Sequence, residues 1–314
     1  MRRFVQCVLA VLALLMGATA QGRPLQVVTT LAQIAEPLAL IAGPGAVVSS
    51  LMGPGVDPHL YRLTRSDVAK LAQADLIVAN GLHLEVQLEE MLATLASRKP
   101  VVAIGDFIDP ALIRHPAGEL PDPHVWMDPT LWRAALQGAV AALEKADPAG
   151  GPGYRARAAT YFTRLGELST RVGEVMGSVP QASRVLVTAH DAFGYFGRAY
   201  GLEVMAIQGI STESEAGLRR IEELVETLVQ RRIRAVFVES SVSPRSVRAL
   251  IDGARARGHE VVVGGELYSD AMGAPGSYTG TYLGMIDHNA STIAKSLGGR
   301  VPAGGLAGRL TNLP

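Results

Sequence analysis

Past residue 24, apolar positions recur with two different periods that take turns along the chain. Short β-branched runs come first: LQVVTT (25–30), AVVSSLM (46–52), DLIVANG (75–81) and VVAIGD (101–106). The second half repeats the habit with RVLVTAH (184–190), EVMAIQG (203–209), AVFVESS (235–241) and EVVVGGE (260–266). Runs of this length bounded by turn residues read as buried strands. Between them the spacing changes to three and four residues, as in LAQIAEPLALIAG (31–43) and LEVQLEEMLATLA (84–96). SEAGLRRIEELVETLVQRR (214–232) carries Ile221, Leu224 and Leu228 on one stripe of an amphipathic helix. Strands alternating with helices predict an α/β fold with parallel sheets flanked by helices.

The pattern divides in two. A cluster of chain breakers, DPAGGPG (147–153), separates the halves, and a proline-free stretch with helical spacing follows it. A helix over 151–179 would be long enough to join two lobes. The expected organisation is a lobe at 21–150, the connecting helix, and a lobe at 180–314, each lobe with its own central parallel sheet.

Residues 1–20 follow a different logic. Arg2 and Arg3 precede a run of about a dozen apolar residues, which ends in Ala18-Thr19-Ala20. This is the form of a secretory leader cut after Ala20; the run is too short to span a bilayer, which takes ~20 apolar residues. The single cysteine, Cys7, falls inside it, so the mature chain holds no disulfide and no thiolate ligand. With 29 basic and 29 acidic residues, two of the arginines in the leader, the mature protein is slightly acidic and carries no footprint for nucleic acid. The one basic cluster, QRRIR (230–234), reads as a solvated helix end. No second apolar run reaches membrane length, so a soluble mature protein is expected.

Ligands of open parallel sheets gather where strands run out into loops. Four polar residues stand there, two in each half. His59 follows the second strand through GPGVDPH, and His124 follows the fourth in PDPHVWMDP. His190 ends RVLVTAH, and Asp270 follows the last strand in GGELYSD. Three imidazoles and a carboxylate make a four-donor site for one divalent transition metal. Both Asp-Pro-His steps are stiff, because proline fixes its own φ and restricts its predecessor, and Asp57 and Asp122 can bond nearby backbone N–H groups. A lone histidine more often serves a loop or a core. His83, His115, His259 and His288 are read that way, His83 at the start of a helix and His288 within one. Ser240 and Ser241 read as a strand end and helix cap, and no nucleophile or phosphate-binding motif stands out.

Five segments carry a resemblance over residues 25 to 297: DPHLYRLTRSDVAKLAQADLIVANGLHLE, PDPHVWMDP, TAHDAFGYFGRAYGLEVMAIQGISTESEAG, VFVESSVSP and GGELYSDAMG. In these the chain resembles the zinc- and manganese-binding solute-binding proteins of bacterial ABC importers, the TroA-like, ZnuA-type family. The resemblance implies two α/β lobes, one long connecting helix and a single Zn2+ or Mn2+ held between them as cargo. It assigns the ligand positions to His59, His124, His190 and Asp270, the same four found from the strand ends. Glu239 in FVESS resembles an acid that orients a ligand imidazole through its free N–H. An ABC permease with its ATPase is the implied partner of a monomeric carrier that is not an enzyme. Two features depart from parts of the family: the region before His124 has only His115 rather than a histidine-rich loop, and the leader has no cysteine placed for a lipid, which implies free diffusion in a periplasm. Neutral imidazole is the ligand form, so affinity is expected to fall as pH drops through 6–7. The alternative is a secreted metal-dependent hydrolase, which would need a coordination position left to water.

Overall fold

A computed structural model describes residues 23–116, 120–311 and 313. The leader lies outside these residues. Among them no helix is long and apolar enough to cross a membrane.

All eight runs read as strands are strands. β1 (Leu25–Thr29), β2 (Ala46–Ser50), β3 (Leu76–Ala79) and β4 (Val101–Ala103) form one parallel sheet in the order β2-β1-β3-β4. β5 (Val185–Thr188) pairs in parallel with β6 (Glu203–Ala206), and β7 (Ala235–Glu239) with β8 (Val262–Leu267). β5 and β7 run side by side without a continuous backbone ladder, so the second sheet is split along its middle. Near the seam β7 and β8 slip register between Val236 and Phe237. At its ligand-bearing end the seam is closed by a side chain, Glu239 Oε1 accepting the His190 N–H at 2.9 Å.

The helices of the first half are α1 (Ala32–Ala42), α2 (Arg65–Gln73), α3 (Glu89–Ala96) and α4 (Pro129–Ala146). α5 (Gly151–Gly177) then runs for 27 residues, roughly 40 Å. It packs on α1 and α4 at one end and on α9 (Tyr282–Ser296) toward the other. α6 (Gly194–Tyr200), α7 (Leu218–Arg231) and α8 (Arg245–Ala256) complete the second half. α7 starts four residues later than the periodicity suggests, because Ser214–Gly217 stay outside it; Leu224 and Leu228 are buried and Ile221 is half-buried, as the stripe requires.

Burial explains why the halves stay together. One apolar cluster runs from Val27 and Ile77 through Trp132, Tyr161 and Leu165 to Leu186, Phe237 and Ile293, crossing from one sheet to the other. α9 lies within it, and its Tyr282 ring stacks on Trp132 with centroids 5.8 Å apart. A second cluster, Val187, Val236, Leu224, Leu228, Val247 and Leu250, lies under α7 and α8. At about 25 cal/mol per Å² of apolar area, a core shared between halves resists wide separation.

Two histidines outside the strand-end set have backbone partners. His259 Nε2 donates to Ile233 O at 2.6 Å and His288 Nε2 to Glu266 O at 2.9 Å, while His115 is exposed. His83 does not start a helix: it sits in a turn at φ +60° after Leu82 at +55°, with its ring on Glu89, 2.9 Å away. Ser240 and Ser241 do not cap α8 either, since Pro244 holds its N-cap position.

Candidate metal centre

The loop after β2 brings in His59. Asp57 Oδ1 accepts the His59 N–H at 2.9 Å, the Asp-Pro-His mount anticipated from the sequence. Downstream the loop is fixed by a capping box at α2. Asp67 accepts the Thr64 N–H at 2.8 Å and the Tyr61 hydroxyl at 2.7 Å, and Thr64 Oγ1 accepts the Asp67 N–H at 3.3 Å. The second mount is tighter. Asp122 Oδ1 accepts both the His124 N–H at 3.0 Å and the ring Nδ1–H at 2.8 Å, so one carboxylate sets the backbone and the tautomer together. Asp122 is itself paired with Arg114, and its carbonyl accepts the Tyr195 hydroxyl at 2.8 Å.

Behind this mount lies Glu85, which the sequence reading passed over. Its buried carboxylate accepts the Thr30 hydroxyl at 2.6 Å, the Asn80 N–H at 2.8 Å and the Gly81 N–H at 3.0 Å. It thus fills the crevice between β1 and β3, where the order of the first sheet reverses. Gly81 sits at φ +79°, a conformation open to glycine, which turns its N–H onto Glu85. Asn80 Nδ2 then reaches Pro123 O at 3.0 Å, beside His124. Burial raises the Glu85 pKa.

The second half supplies its donors straight from strand ends. His190 follows β5, and Glu239, the last residue of β7, accepts its ring Nδ1–H at 2.5 Å. Ser269 and Asp270 follow β8, and their backbones are gripped from the first half. Trp126 Nε1 donates to Ser269 O at 2.9 Å and Gln33 Nε2 to Asp270 O at 2.7 Å.

All four side chains meet. One donor atom from each of His59, His124, His190 and Asp270 lies within 4.8 Å of every other. His124 Nε2 is 3.4 Å from His59 Nε2 and 3.3 Å from His190 Nε2. Asp270 oxygens stand 3.4 Å from His124 Nε2, 3.2 Å from His190 Nε2 and 3.8 Å from His59 Nε2. A tetrahedron with bonds of about 2.0–2.1 Å has edges of about 3.3–3.4 Å, which is the spacing of four donors around zinc. Three of the residues are fully or almost fully inaccessible, and His59 is 4 % exposed. Neither oxygen of Asp270 receives a hydrogen bond, although both are buried. A buried carboxylate needs a cation beside it; the imidazoles of His190 and His124, at 3.2 and 3.4 Å, can supply one when protonated, and an ion can replace those protons.

The electrostatics divide the histidines. Burial lowers the His59 pKa to about 4, and Asp270 offsets this only in part. Burial also acts against a charge on His124, but Asp122 and Asp270 outweigh it and lift that pKa to about 9. On His190, burial is outweighed by Glu239 and then Asp270, and the pKa rises well above its usual value. Burial raises the Asp270 pKa, yet His190 and His124 outweigh that and hold it well below the carboxylate range. The pH window expected from ordinary histidines therefore moves upward, because two of the three rings are clamped by carboxylates.

The chain matches the family described as "Zinc-uptake complex component A periplasmic" over residues 27–296. It is 46% identical over 274 residues to the manganese-binding lipoprotein MntA of Bacillus subtilis, covering 87% of this chain and 90% of that one. Identity to the zinc-binding protein TroA of Treponema pallidum is 45% over 305 residues, covering 94% and 98%. The solved structure of that periplasmic zinc binding protein superposes with a TM-score of 0.86, covering 87% of this chain and 99% of the other. Matched over nearly its whole described length in sequence and in fold, the chain belongs to the family of periplasmic zinc-uptake component A proteins, the solute-binding proteins of metal ABC importers.

Proposed function

We propose that this protein captures one divalent transition-metal ion between His59, His124, His190 and Asp270 and delivers it to an ABC permease. The observation that carries the reading is the convergence of the buried Asp270 carboxylate and three buried imidazoles from both halves, one donor atom of each within 4.8 Å of every other. Lobes at 21–150 and 180–314, joined by the helix at 151–179, hold two donors each. Release then requires the two pairs to part. The shared core and the buried bonds from Gln33 and Trp126 to the Asp270 segment favour a small displacement over a wide hinge opening. Secretion with a leader cut after Ala20 places the chain in the periplasm, acting as a monomer with its permease and ATPase.

Zinc and manganese both fit the donor set. One Asp270 oxygen completes a tetrahedron for Zn2+, and both together raise the coordination number to suit the larger Mn2+. Near-equal identity to a manganese-binding and a zinc-binding relative supports a site open to either. A hydrolase would need one position left to water, and four protein donors close the tetrahedron. The test is titration of the purified mature chain with Zn2+ or Mn2+ followed by elemental analysis. One ion per chain is expected, lost in Asp270→Ala; an Asp270→Ala protein that keeps its ion would refute the reading.

A further inference from the structure

The loop at 208–217 leaves β6 and returns to α7, and its tip leans across to the other half. Between Gln208 and Gly217 the sole buried residue is Thr212, flanked by exposed Ser211 and Glu213. Its hydroxyl donates to Asp57 Oδ2 at 2.6 Å. The other oxygen of that carboxylate accepts the His59 N–H. Next to this bond Gln87 Nε2 donates to Glu213 Oε1 at 3.0 Å, again from one half to the other. A side chain at Gly55 would place its first carbon 3.8 Å from Ser240 O, so the His59 loop lies along the second half at this point too.

We infer that Thr212 is a latch: a positioning residue that holds His59 on the ion through Asp57 and so sets how fast the ion leaves. This rests on the reading of the four donors as the metal site. The physical basis is a single carboxylate shared between two tasks. Asp57 uses Oδ1 to aim the first imidazole and Oδ2 to take a hydroxyl from the opposite half. If the halves part, the Thr212 bond breaks with them and the mount of His59 loses its outer support. His124 and His190 have a carboxylate on the ring Nδ1, whereas Asp57 holds His59 through its backbone N–H. A hydrogen bond to a charged acceptor is strong enough that its removal should speed release about tenfold. Gln87 and Glu213 meet in exposed surroundings, so their bond contributes less.

The experiment follows Zn2+ leaving the loaded full mature chain into an excess of a colorimetric chelator, by stopped flow. Thr212→Ser keeps the hydroxyl and should release at the wild-type rate. Thr212→Val keeps the shape and should release about tenfold faster, and Thr212→Asp, which sets two carboxylates face to face, faster again. Association rates should stay at wild-type values. Release from Thr212→Val at the wild-type rate would overturn the latch while leaving the four-donor site standing. Equal acceleration in Thr212→Ser, or slower association matching the faster release, would overturn it as well. A wild-type chain that retains no zinc would refute the site and the latch together.

Discussion

The deep and outer parts of the site are built on different terms. His124, His190 and Asp270 are held from several directions: Asp122 and Glu239 clamp the two rings, and Trp126 and Gln33 grip the Asp270 segment from across the cleft. His59 sits at the edge, slightly exposed, on a loop whose outer support is a hydroxyl from the opposite half. The deep residues are clamped and basic; the outer one is weakly basic and, on the latch proposed above, separable. Affinity should reside mainly in the first group and exchange in the second, a division of labour a carrier needs if it must both retain an ion and surrender it.

The largest effect separates the groups outright. A four-donor metal site contributes on the order of 10–16 kcal/mol, so one donor accounts for roughly 3–4 kcal/mol, or about 10²–10³ in affinity. His124→Ala should lose at least that much by competition titration. His59→Ala should lose less and show its loss mainly in the dissociation rate. Equal losses with equal rates would erase the distinction between deep and outer donors.

The clamps come next. Glu239→Gln and Asp122→Asn keep the size of the side chain but remove the charge on the ring Nδ1–H, and each should weaken binding about 10- to 100-fold. The matching change at Asp57 acts on a backbone N–H rather than on the ring, so Asp57→Asn should cost less than either.

The pH dependence sharpens the same contrast. On the proposed site the ion takes neutral imidazole, so protons on His124 and His190 must leave, while His59, at about 4, holds none at neutral pH. Affinity should climb through pH 7 toward about 9, the His124 value, with protons released on loading. Calorimetry in buffers of different ionisation enthalpy measures that release. Affinity that levels off above pH 7 would mean the carboxylates do not raise the basicity of the clamped rings. The metal-free fold has the opposite trend. A group whose pKa is raised by folding adds stability that is complete below its unfolded value near 6.5 and is lost as pH passes its folded value. For His124 that loss runs from pH 6.5 to about 9.

The smallest effect concerns the grip across the cleft. Trp126→Phe keeps the buried ring but leaves Ser269 O without its donor, which should cost about 1–3 kcal/mol of stability in denaturant unfolding.

Much of this was legible beforehand because it is local. Strand runs, the breaker cluster before α5 and the repeated Asp-Pro-His step are short-range patterns, and the strand-end rule converts them into a site. The aim of the His59 and His124 backbones was legible for the same reason: an aspartate two residues back reaches the N–H. What the sequence withheld depends on distant partners. Glu85 reads as one more helix-proximal acid until Thr30 is seen to meet it, and the positive φ of Leu82 and His83 carries no side-chain signature. Trp126 reads as core, yet its N–H serves the last ligand segment. Thr212 stands in a polar run that looks solvated throughout. The split between β5 and β7 is equally silent, since each strand has the same apolar pattern as the strands of the continuous sheet.

The most direct test is a diffraction experiment on crystals of the loaded protein, with anomalous scattering at the edge of zinc or manganese. One peak should lie about 2.0–2.3 Å from Nε2 of His59, His124 and His190 and from an oxygen of Asp270. A peak bonded elsewhere, or one that leaves any two of these side chains out of its shell, would contradict the account.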